Sequence, residues 1–254
     1  MRSVLPPSLK RLAAIALCSA AGVTQADTVQ VAVAANFSAP MQQIAAAFNR
    51  ATGHEVVIVS GATGKFAAQI GNGAPFQVLL AADDGTPKKL EDAGHVVAGS
   101  RFTYAIGRLV LYSAQPGRVD DRGAVLKSGR FARLAIANPR VAPYGVAAME
   151  ALQALGLRPA VDGKLVMGES IAQAFQFVAT GNAELGLVAL SQVAVPGQPA
   201  PGSWWAVPQQ LYTPIHQDAA LLQPGAGSAA ARALLDYLRS EPARAVIRAW
   251  GYGL

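Results

Sequence analysis

The stretch Asn138-Pro139-Arg140-Val141-Ala142-Pro143-Tyr144-Gly145 decides the architecture of this chain. The apolar run 134–137 leads into it and is typical of a buried strand, and the apolar spacing of 146–155 predicts a helix after it. Two prolines stiffen the loop, and a glycine allows close approach of the backbone at the helix start. A strand, a tight loop and a helix N-terminus together present free N–H groups and a positive dipole end, which favour an anion.

Three other strand-to-helix turns repeat this arrangement. They place Asn36, Thr63-Gly64 and Ser170 where helices are predicted to begin. If all four turns face one cleft, they offer N–H groups, an amide, hydroxyls and helix dipoles to one ligand. Such a set suits a compact oxyanion that can only accept hydrogen bonds. Because α/β folds always contain turns of this kind, the pattern alone leaves a purely structural interpretation open.

Predicted strands and helices alternate along the chain, which indicates an α/β fold with mostly parallel sheets. Two long extended stretches, 102–113 and 211–222, separate an outer pair of segments from a middle one. We therefore predict two α/β lobes joined by two crossings, with a cleft between them. Residues 27–107 and 216–254 are assigned to the first lobe, and residues 108–215 to the second.

Several local features are also predicted from residue type. Ser38 is expected to cap the first helix, and Asp83-Asp84 to cap a later one rather than to catalyse a reaction. The stretch 195–209 is rich in Pro and Gly and contains two adjacent tryptophans, so we predict that it forms a surface loop.

The first 26 residues are typical of a secretory signal peptide. A basic start precedes a short alanine-rich apolar run, 12–23, and Thr24-Gln25-Ala26 supplies small residues for cleavage. The apolar run is too short to favour an uncleaved membrane anchor. A lipoprotein would use Cys18, but the residue before it is the large Leu17, which argues against lipidation. The predicted location is the periplasm.

Charge and cysteine content exclude several classes of function. The whole chain has a formal net charge of +6, but the predicted signal peptide holds three basic residues and no acidic ones. The mature chain therefore has 18 Lys and Arg against 15 Asp and Glu, a net charge of +3, which is too mild to favour nucleic acid as a partner. Since Cys18 is the only cysteine, the mature chain can form no disulfide, thiol nucleophile or cysteine metal site.

No catalytic motif is evident in the sequence. The three histidines, His54, His95 and His216, are isolated and lack the spacing of metal ligands. There is no Gly-x-Ser-x-Gly motif, and nothing beside Tyr144 in the sequence would tune it as an acid or base. We therefore predict a protein that is not an enzyme, with no catalytic residue, no cofactor and no metal beyond a bound oxyanion.

Five motifs of this sequence together carry a resemblance to a known family. They are Val33-Ala34-Ala35-Asn36-Phe37, Ser60-Gly61-Ala62-Thr63-Gly64, Asn72-Gly73-Ala74-Pro75, Ser100-Arg101-Phe102-Thr103-Tyr104-Ala105-Ile106-Gly107 and Ala142-Pro143-Tyr144-Gly145. With these motifs the sequence resembles the periplasmic molybdate-binding proteins of ABC transporters over nearly the whole mature chain. The resemblance implies the two-lobed periplasmic binding protein fold, with a tetrahedral dianion held by neutral donors between the lobes.

The same resemblance implies a set of ligand contacts. They fall on Asn36, Thr63, Tyr144 and Ile171, the last through its backbone N–H. Ala35 stands where some members have threonine, so its contact can only be through the backbone. Thr63 stands where serine is usual, which retains the hydroxyl.

The implied function is capture of molybdate, and of tungstate, in the periplasm by closure of the lobes. The closed protein, expected to be a monomer, would deliver the anion to a membrane permease powered by an ATPase. The alternatives are a binding protein for another oxyanion such as sulfate, and a periplasmic enzyme on the same fold. Sulfate has the same shape and charge in a smaller size, and sequence does not give the size of a cavity.

Overall fold

The structure is a computed structural model that describes residues 26–254. The predicted signal peptide lies outside the described residues except for Ala26. Within residues 26–254, no helix combines the length and the apolar character needed to cross a membrane.

Ten strands form two separate five-stranded sheets in the described part of the chain. The first sheet has the order β2-β1-β3-β10-β4 and the second has the order β7-β6-β8-β5-β9. The strands are β1 (Thr28–Ala34), β2 (Glu55–Gly61), β3 (Val78–Leu80), β4 (Phe102–Gly107), β5 (Leu109–Ser113), β6 (Leu134–Ala137), β7 (Leu165–Gly168), β8 (Leu185–Ala189), β9 (Ser203–Ala206) and β10 (Ile215–Leu221).

Helices cover both sheets, and each sheet with its helices forms one lobe. Helices α1, α9 and α10 pack together in the first lobe, where α2 and α3 also pack, and α5 and α7 pack against the second sheet. The helices are α1 (Ser38–Thr52), α2 (Thr63–Gly71), α3 (Gly85–Asp92), α4 (Ala124–Ser128), α5 (Pro143–Ala154), α6 (Arg158–Val161), α7 (Ile171–Ala179), α8 (Leu190–Val193), α9 (Ala229–Arg239) and α10 (Glu241–Ala249).

The α/β class and the two-lobed fold are confirmed, but the sheets are mixed rather than mostly parallel. In each sheet three strands are parallel, β2-β1-β3 in the first and β7-β6-β8 in the second. The antiparallel pairings involve β10 in the first sheet and β5 in the second. These are the strands next to the places where the chain passes between lobes, and a chain that returns this way need not run parallel.

The chain crosses between the lobes at two places. At the first, β4 of one sheet ends at Gly107 and β5 of the other begins at Leu109, so Arg108 alone lies between them. At the second, the loop 207–214 leads from β9 back to β10. The extended stretch 211–222 therefore does not itself cross as a strand, because β10 lies wholly in the first sheet.

Two local predictions are wrong. Within 195–209, residues Ser203–Ala206 form the edge strand β9, antiparallel to β5, because alternate side chains of this short stretch can pack on the sheet despite the Pro and Gly around it. Ser38 does not cap α1, because a 3-10 turn at Ala35–Phe37 runs directly into the helix. The Ser38 Oγ instead lies 2.6 Å from the Ser60 Oγ.

Candidate functional site

Four turns follow the carboxyl ends of β1, β2, β6 and β7, which is where open α/β sheets bind ligands. The structure brings them together around one small cavity of about 10 Å³, of the order of the space one water molecule occupies. All five residues predicted as ligand contacts line it, and no charged side chain does. The lining residues are Ala34, Ala35, Asn36, Gly61, Ala62, Thr63, Ala82, Ala142, Pro143, Tyr144 and Ile171.

Asn36 lies in the turn after β1 and is 3% exposed. Its Nδ2 donates to Gln217 Oε1 at 2.7 Å and to the Tyr252 hydroxyl at 3.0 Å. Its backbone carbonyl accepts from Ser191 Oγ at 2.9 Å and from the Tyr252 hydroxyl at 2.8 Å. The Oδ1 atom is buried and has no hydrogen-bond partner, so the network fixes the residue but leaves part of its amide unused.

Thr63 is the first residue of α2 and is 1% exposed. Its Oγ1 accepts a hydrogen bond from the Ala82 N–H at 3.0 Å. A hydroxyl that accepts in this way keeps its own hydrogen free to donate. Since Thr63 lines the cavity, that hydrogen and the Thr63 backbone N–H are available to an anion there, whereas the N–H groups of the next three residues already donate to backbone carbonyls.

The second lobe contributes the first residues of two helices, α5 and α7, to the cavity. Pro143 is the first residue of α5 and has no N–H, so the first free N–H of that helix belongs to Tyr144. Ile171 is the first residue of α7, so the helix begins directly after Ser170, where the sequence predicts a helix start. The Ser170 side chain caps α7 by accepting a hydrogen bond from the Gln173 N–H. Backbone N–H groups at helix starts have no partner within the helix, so both can serve a ligand.

The Tyr144 hydroxyl, which we expected among the donors, lies elsewhere. A Cβ built on Gly107 would overlap the hydroxyl oxygen, and would lie 3.1 Å from Gln217 Nε2. Gly107 does not line the cavity. The absence of a side chain at this residue therefore makes room for the Tyr144 hydroxyl at the crossing between lobes.

Burial keeps the hydroxyls around the site neutral. It raises the pKa of Tyr104, Tyr144 and Tyr252, most strongly because removal from water disfavours the phenolate. At physiological pH these groups therefore stay protonated. The surroundings of the cavity consist of neutral donors and acceptors, without a charge opposite the ligand.

The lobes touch each other around the cavity. The Gly64 N–H donates to the Val141 carbonyl at 2.9 Å, and a Cβ on Gly64 would lie 3.0 Å from the Val141 Cα. Lys65, in the first turn of α2, and Glu169, in the turn after β7, form an exposed ion pair between the lobes. These contacts, together with the Ser191 hydrogen bond to Asn36, hold the two lobes closed.

A larger cleft of about 390 Å³ adjoins the small cavity and has a different character. Its lining includes Asp83, Asp84, Lys89, Arg140 and Glu150. The Asp83 carboxylate accepts from the N–H and the hydroxyl of Thr86 in the first turn of α3, so the predicted capping role is confirmed for Asp83. Asp84, the residue directly before α3, makes no side-chain capping hydrogen bond, so that half of the prediction is wrong. Burial raises the pKa of Asp83, and the hydrogen bonds from Thr86 oppose that rise. Within residues 26–254, no group of three or more His, Cys, Asp or Glu is placed to hold a metal ion.

Sequence reasoning missed the residues behind the site, namely Gln217, Ser191 and Tyr252. They come from β10, from α8 and from the end of the chain, and none belongs to the four turns that the sequence singled out. One signal was available, since Gln217 and Asp218 are adjacent polar residues followed by the apolar run 219–222, and both are buried. A polar pair in such a strand indicates a buried network.

Comparison with known proteins places the chain among binding proteins. The chain is 62% identical over 230 residues to the molybdate-binding protein ModA of Azotobacter vinelandii, covering 91% of each. It is 51% identical over 249 residues to ModA of Rhodobacter capsulatus, covering 97% of each. The solved periplasmic molybdate-binding protein of A. vinelandii superposes with a TM-score of 0.87 at 42% identity, covering 89% of this chain and 99% of that one.

The family described as bacterial extracellular solute-binding proteins matches residues 29–253. The match therefore includes both sheets, the four turns and the cavity between them. The relatives named above are binding proteins, which agrees with the prediction that this chain is not an enzyme. The chain belongs to the bacterial extracellular solute-binding proteins.

Proposed function

We propose that this protein binds molybdate, and tungstate with it, in the periplasm and presents the anion to an ABC permease and its ATPase. The observation that carries the proposal is the small cavity lined only by uncharged residues, at which four strand-to-helix turns meet. Its size favours a compact ligand over a sugar or a peptide. Relatives named as molybdate-binding proteins, at 62% and 51% identity, support the choice of anion.

We assign the ligand contacts to the five predicted residues. Asn36 and Thr63 contribute side-chain donors, and Ala35, Tyr144 and Ile171 contribute backbone N–H groups. A fully deprotonated oxyanion has only acceptors, so a site made of donors selects it over a partly protonated one, whose hydroxyl needs an acceptor. The pocket thus discriminates by proton content as well as by size.

Binding is coupled to closure of the lobes. In the proposed cycle, an open form takes up the anion on one lobe, and the other lobe completes the set of donors. The contacts from Gly64 to Val141 and from Ser191 to Asn36 then stabilise the closed form. The lobes themselves are assigned as residues 27–107 with 216–254, and 108–215. The permease recognises the closed protein, which acts as a monomer.

Calorimetric titration of residues 27–254 tests the proposal. The titrants are molybdate, tungstate, sulfate and phosphate, each in the same buffer. We expect tight one-to-one binding of molybdate and tungstate, and at least a hundredfold weaker binding of sulfate and phosphate. Tight binding of sulfate would preserve the oxyanion site but contradict the assignment to molybdate, and binding of none would contradict both.

A further inference from the structure

Three buried polar atoms lack a hydrogen-bond partner in the described structure, and they lie in one cluster. They are Asn36 Oδ1, Gln217 Nε2 and the Tyr144 hydroxyl. Buried polar atoms are normally paired, because an unpaired one loses its hydration without compensation. Three such atoms next to a ligand cavity therefore indicate a network that is completed by something else.

Gln217 lies in this cluster beside an irregularity of β10. It is fully buried in β10, and the pairing of β10 with β4 shifts register between Gln217 and Asp218. A β-bulge of this kind redirects a side chain, often beside a functional site. Beside this bulge, Gln217 accepts a hydrogen bond from Asn36, and the next residue, Asp218, accepts one from Arg101.

The two amides can pair in two ways. A half-turn of a side-chain amide about its last bond exchanges its oxygen and nitrogen and leaves its other atoms in place. In the arrangement observed, Asn36 Nδ2 donates to Gln217 Oε1 over 2.7 Å. If both amides turn, Gln217 Nε2 donates to Asn36 Oδ1 over the same distance. The Tyr252 hydroxyl can then also donate to Asn36 Oδ1, since Ser191 still satisfies the Asn36 carbonyl.

The turned arrangement suits an anion, and the observed one does not. It moves the Asn36 Nδ2 group to the place of the unpaired Oδ1, where its hydrogens are free for a ligand. It also places Gln217 Oε1, instead of Nε2, on the side of Gly107 where the Tyr144 hydroxyl lies. The hydrogen bond that the network lacks is then supplied by the oxyanion.

We propose that Gln217 is a positioning residue that decides whether Asn36 presents a donor or an acceptor to the bound oxyanion. The inference rests on the proposed function, because it assumes that Asn36 contacts the anion. In this account Gln217 never touches the ligand. It contributes to affinity, and to discrimination against protonated oxyanions, only through the amide of Asn36.

A double-mutant cycle measured by molybdate titration tests the proposal. The variants are Gln217→Met, which keeps the size but removes the amide, Asn36→Ala, and the double variant. We expect Gln217→Met to weaken molybdate binding roughly tenfold in the wild-type background, and to cause no further loss when Asn36 is already alanine. A merely structural role for Gln217 would instead give the same loss in both backgrounds, and that result overturns the inference.

Gln43→Met is the matched control. Gln43 also makes one side-chain hydrogen bond, accepting from Trp250 Nε1 at 3.0 Å, and it does not line either cavity. We expect its molybdate affinity to equal that of the wild type. A wild-type protein that does not bind molybdate, or an Asn36→Ala variant that binds it normally, would overturn the proposed function and this inference with it. The additive result described above overturns the inference alone.

A second measurement follows the amides directly. The side-chain amide signals of Asn36 and Gln217 in a ¹⁵N–¹H spectrum are assigned by their loss in Asn36→Ala and Gln217→Met. On addition of molybdate, we expect both pairs of signals to move, because Asn36 Nδ2 gains the anion and Gln217 Nε2 gains Asn36 Oδ1. A Gln217 signal that stays in place while Asn36 moves would overturn the proposal.

Discussion

The two halves of the proposed site use different chemistry. The first lobe contributes the side chains of Asn36 and Thr63, each held by buried hydrogen bonds. The second lobe contributes backbone N–H groups at the starts of α5 and α7, where we expect the identity of the side chain to matter little. The first half therefore depends on residue type, and the second on where a helix begins. Substitutions in the two halves should follow different rules.

The largest effect is expected where the halves meet. In Gly64→Val, the new side chain would press on the Val141 backbone, since even a Cβ lies 3.0 Å from it. We expect molybdate affinity to fall by about 3 kcal/mol, roughly a hundredfold, because the closed form is overpacked. Gly71→Val in the same helix is the control, since a Cβ there meets nothing within 4 Å. Equal affinities of the two variants would contradict closure through this contact.

In the first half, Thr63→Val should weaken binding by about 2 kcal/mol, because an anion oxygen loses its donor in a dry site. The same change leaves the Ala82 N–H without its acceptor, so the free energy of unfolding should also fall. Thr63→Ser keeps the hydroxyl and should bind within about threefold of the wild type. Titration calorimetry and thermal melting measure the two effects separately. Similar molybdate affinities of Thr63→Val and Thr63→Ser would show that the Thr63 hydroxyl does not contact the anion.

In the second half of the site, the most specific substitution removes one backbone N–H and little else. Ile171 is the first residue of α7 and Ser170 before it is extended, so Ile171→Pro fits the backbone. We expect a loss of about 1.5 kcal/mol in molybdate affinity. Ile171→Ala retains the N–H and should bind like the wild type, although it removes buried apolar surface. If Ile171→Ala weakens molybdate binding as much as Ile171→Pro does, the Ile171 side chain contributes to binding. The proposal that only the backbone N–H of this residue contacts the anion would then be wrong.

The smallest effect is expected at Tyr144. Its hydroxyl lies beside Gly107, a residue that does not line the cavity, and is buried without a hydrogen-bond partner. Tyr144→Phe should therefore change molybdate affinity by less than about 0.5 kcal/mol, since the backbone N–H remains. If the same titration shows a loss comparable to that of Thr63→Val, the Tyr144 hydroxyl contributes to anion binding. The second half of the site would then also depend on residue type, which contradicts the comparison made above.

Sequence could predict the parts of this molecule that depend on neighbouring residues. The four turns at Asn36, Thr63, Tyr144 and Ser170 follow apolar runs and precede helical spacing, and the structure places all four turns at the carboxyl ends of strands. Their convergence on one cavity was a conditional expectation, because periodicity describes each element but not its position against another.

The remaining features depend on distant contacts. Gln217 bonds to Asn36, which lies 181 residues away in the sequence. The β-bulge beside Gln217 is not predicted by any local sequence pattern. The edge strand β9 was missed because its pairing with β5 outweighs the loop signals around it. In the second half of the site the proposed donors are backbone groups, and the strand-to-helix pattern predicts free N–H groups at these turns. The resemblance to a family was needed to assign the contacts to Tyr144 and Ile171.

A crystal structure of the protein with molybdate, with anomalous scattering recorded at the molybdenum edge, tests the central claim most directly. The account predicts a single molybdenum peak in the small cavity, between Thr63 of the first lobe and the N–H groups of Tyr144 and Ile171 of the second. A peak in the larger cleft beside Asp83 and Arg140, with the small cavity empty, would contradict it.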